Sequence, residues 1–428
     1  MSGSHLESPR FLGWFRKIGQ ALMLPAALAP IAGLLVVSGD LLGRRGFSFA
    51  SVLANSGYAL IEQFPLLIAV SLAFTLAVEE QALAALSGAI AYILLTRSGA
   101  TLFAILGNGK TELTDFQMGL AGGFAAGLIT VALHNGLKNL RIPAWLDFFK
   151  GQRSVQLWRA LATFLAAFLA GILSGALWSV IWKGLTAFAG RLPEAGMAGA
   201  FVYGLLNRLL VPFGLHHVLN NEIWFNYGEY TNLSGVLIRG DLNRFLAGDP
   251  TAGHFIAGFF PMMIFAVPAI ALAFLITARR NRRWRVAILL ILAGLVSLVS
   301  GIAEPVEFLI LFSAPVLYVI YAVLYGLSML VCFQLQALSG FTFSTGLTDY
   351  LANWSKATHP EAIWQVGIAM AVLAFAIFYF AVTLLKMRTP GREAEQEPIA
   401  GSKPEQVPEQ ISEPEPEPEP APEEENID

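Results

Sequence analysis

The chain has 428 residues, of which 56% are hydrophobic and only 13% are charged, and its formal net charge is −3. Soluble domains rarely keep this balance over such a length, so the composition predicts an all-α polytopic membrane protein and argues against a soluble enzyme. Neither a P-loop nor a dinucleotide-binding glycine pattern occurs in a strand–helix context, so ATP hydrolysis is not expected. We expect no cofactor and no nucleic-acid partner.

The first predicted span follows a short N-terminal extension, residues 1–10, and the basic stretch "RFLGWFRK". Its apolar segment, Ile18 to Val37, is too long for a cleaved signal peptide and lacks a small-residue cleavage pattern. Further apolar runs occur at Phe64–Val78, Trp158–Ile181, Phe255–Ala278, Val286–Ile302 and Ile363–Leu385. Together with shorter, interrupted segments they predict about ten membrane spans.

Loop charge predicts the orientation of these spans. Basic clusters occur at Arg10–Lys17, Lys138–Arg159, Ala278–Arg285 and Lys386–Arg392. The positive-inside rule places all four in the cytoplasm, so both termini are predicted to lie on the cytoplasmic side of the membrane. Arg44 and Arg45 do not fit this arrangement.

The stretch "NRLLVPFGLHHVLNNEIWF", residues 207–225, interrupts an apolar run with Pro212 and Gly214. Broken backbone at membrane depth is tolerated only where it is buried in protein or lines a wet cavity. We therefore predict a binding role for at least one of the two adjacent histidines, although a histidine packed in the core is the alternative. The candidate residues of this stretch are Arg208, His216, His217 and Asn220. No histidine pair has the one-turn spacing of a metal site, so no metal is expected.

A second interrupted stretch, "GIAEPVEFLILFSAPVLY", contains two glutamates. A carboxylate at the centre of a membrane helix costs about 2.5–3.5 kcal/mol, so each needs a compensating environment. For Glu304, which precedes a proline, we predict a polar cavity. For Glu307, a structural partner such as an arginine explains the residue equally well. Cys332, the single cysteine, is interpreted as a packed core thiol.

Two polar segments remain. "GDLNRFLAGDPTAGHF", residues 240–255, is either an ordinary connection or a cap that contacts a polyhydroxyl ligand. The tail, residues 391–428, contains about 13 acidic residues and one lysine from Glu393 onward, which leaves roughly +9 on the rest of the chain. Its Pro-Glu alternation predicts disorder.

These motifs resemble the enzyme IIC component of the bacterial phosphoenolpyruvate-dependent sugar phosphotransferase system, glucose superfamily. The residues that carry the resemblance are "NRLLVPFGLHHVLN", "GDLNRFLAGDPTAGHFIAGFFPMMIFAVPA", "GIAEPVEFLILFSAPVLYVIYAVLYGLS", "GFTFSTGLTDY" and "TPGRE". "GLHHVLNNEIWFNYGEYTN" followed by "GDLNRF" is most similar to the N-acetylglucosamine branch. The resemblance covers the body of the chain, about Phe11 to Glu393, and places the enzyme IIC membrane domain at residues 11–390.

The resemblance implies an architecture and a set of partners. It implies re-entrant hairpins, an N-terminal scaffold that forms a homodimer (about 11–190), and a sugar-binding half that moves like an elevator (about 191–390). It implies a multi-pass protein of the bacterial inner membrane whose partners are a sugar and a phosphorylated IIB protein or domain. The IIB phosphocysteine would phosphorylate the 6-hydroxyl of the sugar.

The same resemblance implies roles for individual residues. Arg208 and His216 would contact sugar hydroxyls, and Glu304 would bind the reacting end of the sugar and accept the 6-hydroxyl proton. Lys150 and Arg153 are candidate contacts for phospho-IIB.

Several positions depart from the family pattern. "FFKGQR" has Gln152 where lysine is usual, "GIAEP" has Ala303 where threonine is usual, and Glu79 and Glu80 stand where a lysine–aspartate pair is common. The sequence also shows no cysteine that a IIB domain would phosphorylate, so we expect IIB on a separate chain, in a lost fusion partner, or beyond a cut at the linker. Two other functions stay open: an uncoupled sugar facilitator or secondary transporter, and a sugar-responsive membrane receptor.

Overall fold

The computed structural model describes residues 10–108, 111–149 and 151–392, which belong to one compact unit. The helices are α1 (Arg10–Gly43), α2 (Ala50–Glu62), α3 (Phe64–Leu76), α4 (Gln81–Leu106), α5 (Gly119–Gly136), α6 (Gln152–Ala189), α7 (Gly196–Leu209), α8 (His216–Asn220), α9 (Asp241–Leu246), α10 (His254–Ala257), α11 (Val267–Thr277), α12 (Arg283–Ser300), α13 (Glu304–Ser313), α14 (Pro315–Gln334), α15 (Leu347–Ala352) and α16 (Pro360–Leu384). Two π-helical segments, Asn221–Asn226 and Pro261–Ala266, extend α8 and precede α11.

One small sheet interrupts the predicted all-helical pattern. Strands β1 (Glu229–Thr231) and β2 (Leu237–Arg239) pair antiparallel, with Tyr230 opposite Ile238. The connecting turn is stabilised by Asn232, whose Oδ1 accepts the backbone N–H groups of Ser234 and Val236. An asparagine that bonds to the backbone two residues ahead is a local turn signal. The fold is therefore helical with one short hairpin.

Seven helical stretches among the described residues are long and apolar enough to cross a membrane, and an eighth results if the bent pair α2–α3 is one span. The two helices of that pair meet at an angle of 47°. The stretch Gln152–Leu209 counts once although its 58 residues far exceed the about 20 that one crossing needs. These helices make the chain a multi-pass membrane protein, and the count of about ten spans stays a prediction.

Helices of the N-terminal half approach each other closely. α1 packs on α2, α3 on α5, and α4 on α6. A Cβ atom placed on Gly175 of α6 would lie 2.4 Å from the carbonyl oxygen of Gly99 on α4, so only glycine fits there. Small residues that allow backbone contact stabilise helix pairs in a membrane, where no hydrophobic effect drives helices together.

The C-terminal half has the larger apolar core. α7 packs on α14, and α11 packs on α12 and α16. Fully buried aromatic rings such as Tyr203, Phe259 and Phe274 lie inside this core. Helix α1 also contacts α12 and α13, and α6 contacts α8, so the two halves are packed against each other. The predicted division near residue 190 and the elevator movement stay predictions.

Some predictions fall on residues outside the described ranges. The N-terminal extension up to residue 9, Lys150, and the acidic tail from residue 393 onward all lie outside them.

Candidate functional site

The predicted break near Pro212 is present and separates two helices. α7 ends at Leu209 and α8 begins at His216. Between them Gly214 has a φ of +72°, and a Cβ atom there would lie 2.3 Å from the carbonyl oxygen of Gln117. This positive φ and the close contact both require glycine. The break therefore brings the last residues of α7 and the first residues of α8 to one place.

Arg208, at the end of α7, forms a buried ion pair with Glu307 of α13. Its Nη1 lies 2.6 Å from the Glu307 Oε1, and the two residues are 8% and 1% exposed. Tyr321 donates its hydroxyl to the same carboxylate oxygen at 2.8 Å. The structural role that the sequence left open for Glu307 is the one the structure shows. A charge-assisted pair with an added hydrogen bond compensates part of the desolvation of both groups.

The guanidinium of Arg208 is also fixed by rings and by a neighbouring amide. Its Cζ lies 4.5 Å from the ring centroid of Tyr325 and 5.3 Å from that of Phe259. Nη2 donates to the Oδ1 of Asn207 at 2.8 Å. Cation–π contacts restrict the plane of a buried guanidinium group. Arg208 is thus held in one orientation, with its Nε atom buried and without a hydrogen-bond partner among the described residues.

Asn220 is connected to this network through its carbonyl oxygen. Oδ1 accepts the hydroxyl of Tyr203 at 2.8 Å and the Nδ2 of Asn207 at 2.5 Å. The side chain is 8% exposed. Asn220 therefore connects α8 to α7. Since its Oδ1 already accepts two hydrogen bonds, a ligand could use only its amide nitrogen, Nδ2.

The adjacent histidines lie next to each other at the start of α8. Their ring centroids are 3.9 Å apart at an interplanar angle of 38°. His217 is exposed and His216 is half-buried. The Nδ1 of His216 is buried, yet no described residue hydrogen-bonds to it. Since a buried polar atom without a partner costs free energy, this nitrogen is a candidate contact for a polar ligand.

Glu304 is the first residue of α13 and is half-buried. It lies one turn before Glu307 on α13, so the two carboxylates share a helix face and Glu304 is close to the arginine that Glu307 binds. In the described part of the chain, no side chain of another residue, Arg208 included, donates a hydrogen bond to the Glu304 carboxylate. Arg208 also interacts electrostatically with His216. The structure thus brings Arg208, His216 and Glu304 into one polar cluster inside the helical body.

In the segment of residues 240–255, which leads into α10, charged side chains bond to groups of the same segment. Arg244 contacts Asp249 at 2.7 Å, and the backbone N–H groups of Gly253 and Phe255 donate to Asp241. Burial raises the pKa of Asp249, but hydrogen bonds from Thr251 and Arg244 outweigh it and hold the pKa below its ordinary value. Arg244, Asp249 and Asp241 thus bond to groups of their own loop, which is what an ordinary connection requires, and contact of this loop with a ligand stays a prediction.

The remaining predicted contact, Arg153, is exposed near the start of α6. Lys150, its predicted companion, lies outside the described residues. Sequence analysis missed three tyrosines of α14 near the ion pair: Tyr321 donates to Glu307, its hydroxyl lies 3.3 Å from that of Tyr325, and Tyr318 donates to the backbone carbonyl of Arg208. Their spacing of three and four residues puts them on one helix face, which is the signal that could have identified them.

Comparison with known proteins identifies the family. The family model described as "Phosphotransferase system, EIIC" matches residues 19–326. The chain belongs to the phosphotransferase system EIIC family. The family resemblance predicted from the sequence motifs is therefore confirmed.

Relatives of this EIIC chain have been named for their sugar. It is 38% identical over 382 residues to the N-acetylglucosamine-specific EIICB component of Bacillus subtilis, covering 89% of this chain and 79% of that protein. It is 37% identical over 391 residues to the N-acetylglucosamine-specific EIIC component of Streptomyces coelicolor, covering 89% and 93%. The N-acetylglucosamine-specific EIICBA component of Escherichia coli is 34% identical over 393 residues, which are 91% of this chain and 58% of the larger protein.

Proposed function

We propose that this EIIC chain is a sugar permease of the phosphotransferase system that binds N-acetylglucosamine or a related hexose and presents it for phosphorylation. The observation that carries the proposal is the polar cluster of Arg208, His216 and Glu304 inside a multi-pass helical body. Buried Nε and Nδ1 atoms of the first two have no partner within the described ranges. A polyhydroxyl ligand offers both donors and acceptors to such atoms.

Arg208 and His216 bind the sugar in this proposal, and the exposed His217 and the amide of Asn220 border the same site. Glu307 holds the guanidinium of Arg208 from the other side, so the arginine contributes its remaining donor without reorganising. A preorganised donor loses less conformational entropy when the ligand binds.

Glu304 is the proposed general base. The oxygen of the sugar 6-hydroxyl attacks the phosphorus of the IIB phosphocysteine, its proton passes to the Glu304 carboxylate, and the cysteine sulfur leaves as a thiolate. The reaction produces a sugar 6-phosphate and unphosphorylated IIB. Since phosphoryl transfer depends mainly on positioning and electrostatics, the role of the base is to orient the hydroxyl and accept its proton.

The names of the relatives support the sugar and the partner. Relatives from three bacteria are named as N-acetylglucosamine-specific, and two of them are EIICB or EIICBA components. We propose that phospho-IIB, fused or separate, docks near Arg153 on the cytoplasmic side of the bacterial inner membrane. A homodimer, cytoplasmic termini and an elevator movement of the sugar-binding half are further parts of this proposal.

A second function, an uncoupled transporter, is favoured by Gln152. This residue replaces the usual lysine of the family beside the proposed docking site and is exposed in the structure. A neutral side chain attracts a phosphorylated partner less strongly. Such a protein would bind and move the sugar but leave it unphosphorylated.

One experiment separates the two functions. Membranes containing this chain are supplied with phosphoenolpyruvate, the general phosphotransfer proteins, a IIB protein of the N-acetylglucosamine branch, and labelled N-acetylglucosamine or glucose. We expect labelled N-acetylglucosamine 6-phosphate. Binding and uptake of sugar without any sugar phosphate would contradict the coupled mechanism and favour the uncoupled transporter.

A further inference from the structure

We propose that Asp349 is a positioning residue for Glu304, acting through the loop of residues 341–346. The inference rests on the proposed function, because it concerns the same carboxylate. It also assigns a role to Arg44, which the charge distribution left without an explanation.

Asp349 organises the loop that precedes it. Its carboxylate is 1% exposed. Oδ1 accepts the backbone N–H of Thr342 at 3.0 Å, and Oδ2 accepts those of Phe343 at 3.2 Å and Ser344 at 3.0 Å. A carboxylate that accepts three backbone N–H groups fixes the path of the backbone that donates them. The shape of the loop therefore depends on this one side chain.

The loop in turn holds the backbone just before Glu304. Ser344 donates its hydroxyl to the carbonyl oxygen of Gly301 at 3.2 Å. Gly301 has a φ of +73°, and a Cβ atom there would lie 2.5 Å from the nitrogen of Gly346. The two backbones are in direct contact at a point three residues before Glu304. A shift of the loop must therefore shift the start of α13.

A third contact extends the arrangement to the N-terminal half. Arg44, in the turn directly after α1, has its Nε 3.0 Å from the Oδ2 of Asp40, and its Nη2 lies 3.6 Å from the Oδ2 of Asp349. Tyr58 of α2 packs against the ring of Phe343 with a centroid distance of 5.8 Å. These contacts hold the loop from the side of α1 and α2. An open cleft of about 420 Å³ borders Asp40, Arg44 and Phe343.

Positioning by Asp349 has a consequence for the reaction. A displacement of about 1 Å in a catalytic group can reduce a rate by about 100-fold, because the reacting atoms must be aligned. The sugar itself is bound mainly by Arg208 and His216 in the proposed mechanism. Loss of the Asp349 carboxylate should therefore lower kcat much more than it raises KM for the sugar.

The test compares Asp349→Asn with Asp241→Asn in the full chain. Asp241 is a matched control, because it is also 1% exposed and its carboxylate also accepts backbone N–H groups in a loop, those of Gly253 and Phe255. Each variant is assayed for sugar phosphorylation with phospho-IIB. Backbone hydrogen–deuterium exchange is followed in peptides that cover residues 299–305 and 341–346.

For Asp349→Asn we expect a decrease of about 10- to 100-fold in kcat, a change of less than about threefold in KM for the sugar, and faster exchange in both peptides. Asp241→Asn should leave both peptides and kcat near the wild-type values. Gly346→Ala keeps the carboxylate but adds a Cβ atom 2.4 Å from the carbonyl oxygen of Val299. It should lower kcat in the same way.

Three results would overturn the proposal. The first is an unchanged kcat in Asp349→Asn together with faster exchange at 341–346. The second is unchanged exchange at 299–305. The third is a decrease in kcat that Asp241→Asn reproduces. If the wild-type chain phosphorylates no sugar, the proposed function fails, and exchange at 299–305 still decides whether Asp349 holds the segment before Glu304.

Discussion

The two halves of this EIIC chain each bury an arginine against a glutamate near a histidine, but the surroundings differ. In the N-terminal half, Arg159 is 4% exposed and donates to Glu80 at 2.9 Å and to the carbonyl oxygen of His134 at 2.7 Å. The Nε2 of His134 lies 2.9 Å from the carbonyl oxygen of Glu79. The protein itself thus supplies partners to the arginine, the glutamate and the histidine of this group.

In the C-terminal half, Arg208 pairs with Glu307, but the residues next to the pair have unused polar atoms. His216 has a buried Nδ1 without a partner in the described part of the chain. Glu304 is a second carboxylate close to the arginine. Arg159 and Arg208 each have a buried Nε atom without a partner among the described residues. The two groups therefore differ in the residues around the arginine and not in the arginine itself. The same residue types bond to one another in one half and leave a buried histidine nitrogen without a partner in the other, which supports the proposed sugar site.

The largest expected effect comes from Arg208→Ala compared with Arg159→Ala. Each variant leaves a glutamate without its arginine. Because Glu307 is 1% exposed, Arg208→Ala should lower the free energy of unfolding by about 3–5 kcal/mol. We expect a lower unfolding temperature in both variants but loss of sugar binding only in Arg208→Ala. Thermal unfolding in detergent and titration with N-acetylglucosamine measure the two effects.

If Arg208→Ala does not fold, Arg208→Lys tests the same contact with the sugar. It keeps the positive charge but loses the guanidinium fork and its stacking on Tyr325. Unchanged sugar affinity in Arg208→Lys would contradict a direct contact between Arg208 and the sugar.

Glu304→Gln should reduce sugar phosphorylation by at least about 100-fold, because an amide cannot accept the hydroxyl proton. The sugar affinity should change much less, since the amide keeps the size and polarity of the side chain. Glu80→Gln is the control in the other half and should leave phosphorylation unchanged. Initial rates of sugar phosphorylation at saturating phospho-IIB test this expectation. A normal rate in Glu304→Gln would show that Glu304 is not the general base.

His216→Ala should weaken sugar binding by about tenfold, which is the loss of one good hydrogen bond in a buried site. His134→Ala should lower the unfolding temperature instead and keep the sugar affinity. Equilibrium binding to both purified variants distinguishes the cases. Equal affinities would mean that the histidines of the two halves do not differ in function.

The smallest effect is expected for Arg153→Gln. This exposed side chain should contribute mainly to encounter with phospho-IIB, so the apparent KM for IIB should rise about threefold and depend less on salt. Arg45→Gln is the control, since Arg45 is also exposed, in the turn after α1, and is not part of the basic clusters predicted to lie in the cytoplasm. A similar change in both variants would argue against docking at Arg153.

The sequence predicted those features of the fold that depend on local signals. Apolar runs indicated the membrane helices, and Pro212 with Gly214 indicated the break between α7 and α8. The hairpin β1–β2 was not predicted, because each of its strands has only three residues. The α6–α7 stretch, Gln152–Leu209, has 58 residues and counts as one apolar stretch although one crossing needs only about 20. Composition alone therefore does not give the number of crossings.

The sequence predicted those parts of the site whose residues are close together in the chain, but not the contacts between distant segments. Arg208 and Glu307 are 99 residues apart, and no spacing rule joins them. The contact between Arg44 and Asp349 joins even more distant segments. Such pairs are made by helix packing, so a single sequence shows which residues are polar but not which of them meet.

The single cysteine of the chain, Cys332, is completely buried in α14. Structural thiols in such surroundings are unreactive. This chain is therefore suited to site-directed labelling, because a cysteine introduced on its surface will react with a spin label or a fluorophore in preference to Cys332. Two such labels, one in each half, would allow the distance between the halves to be followed while sugar binds.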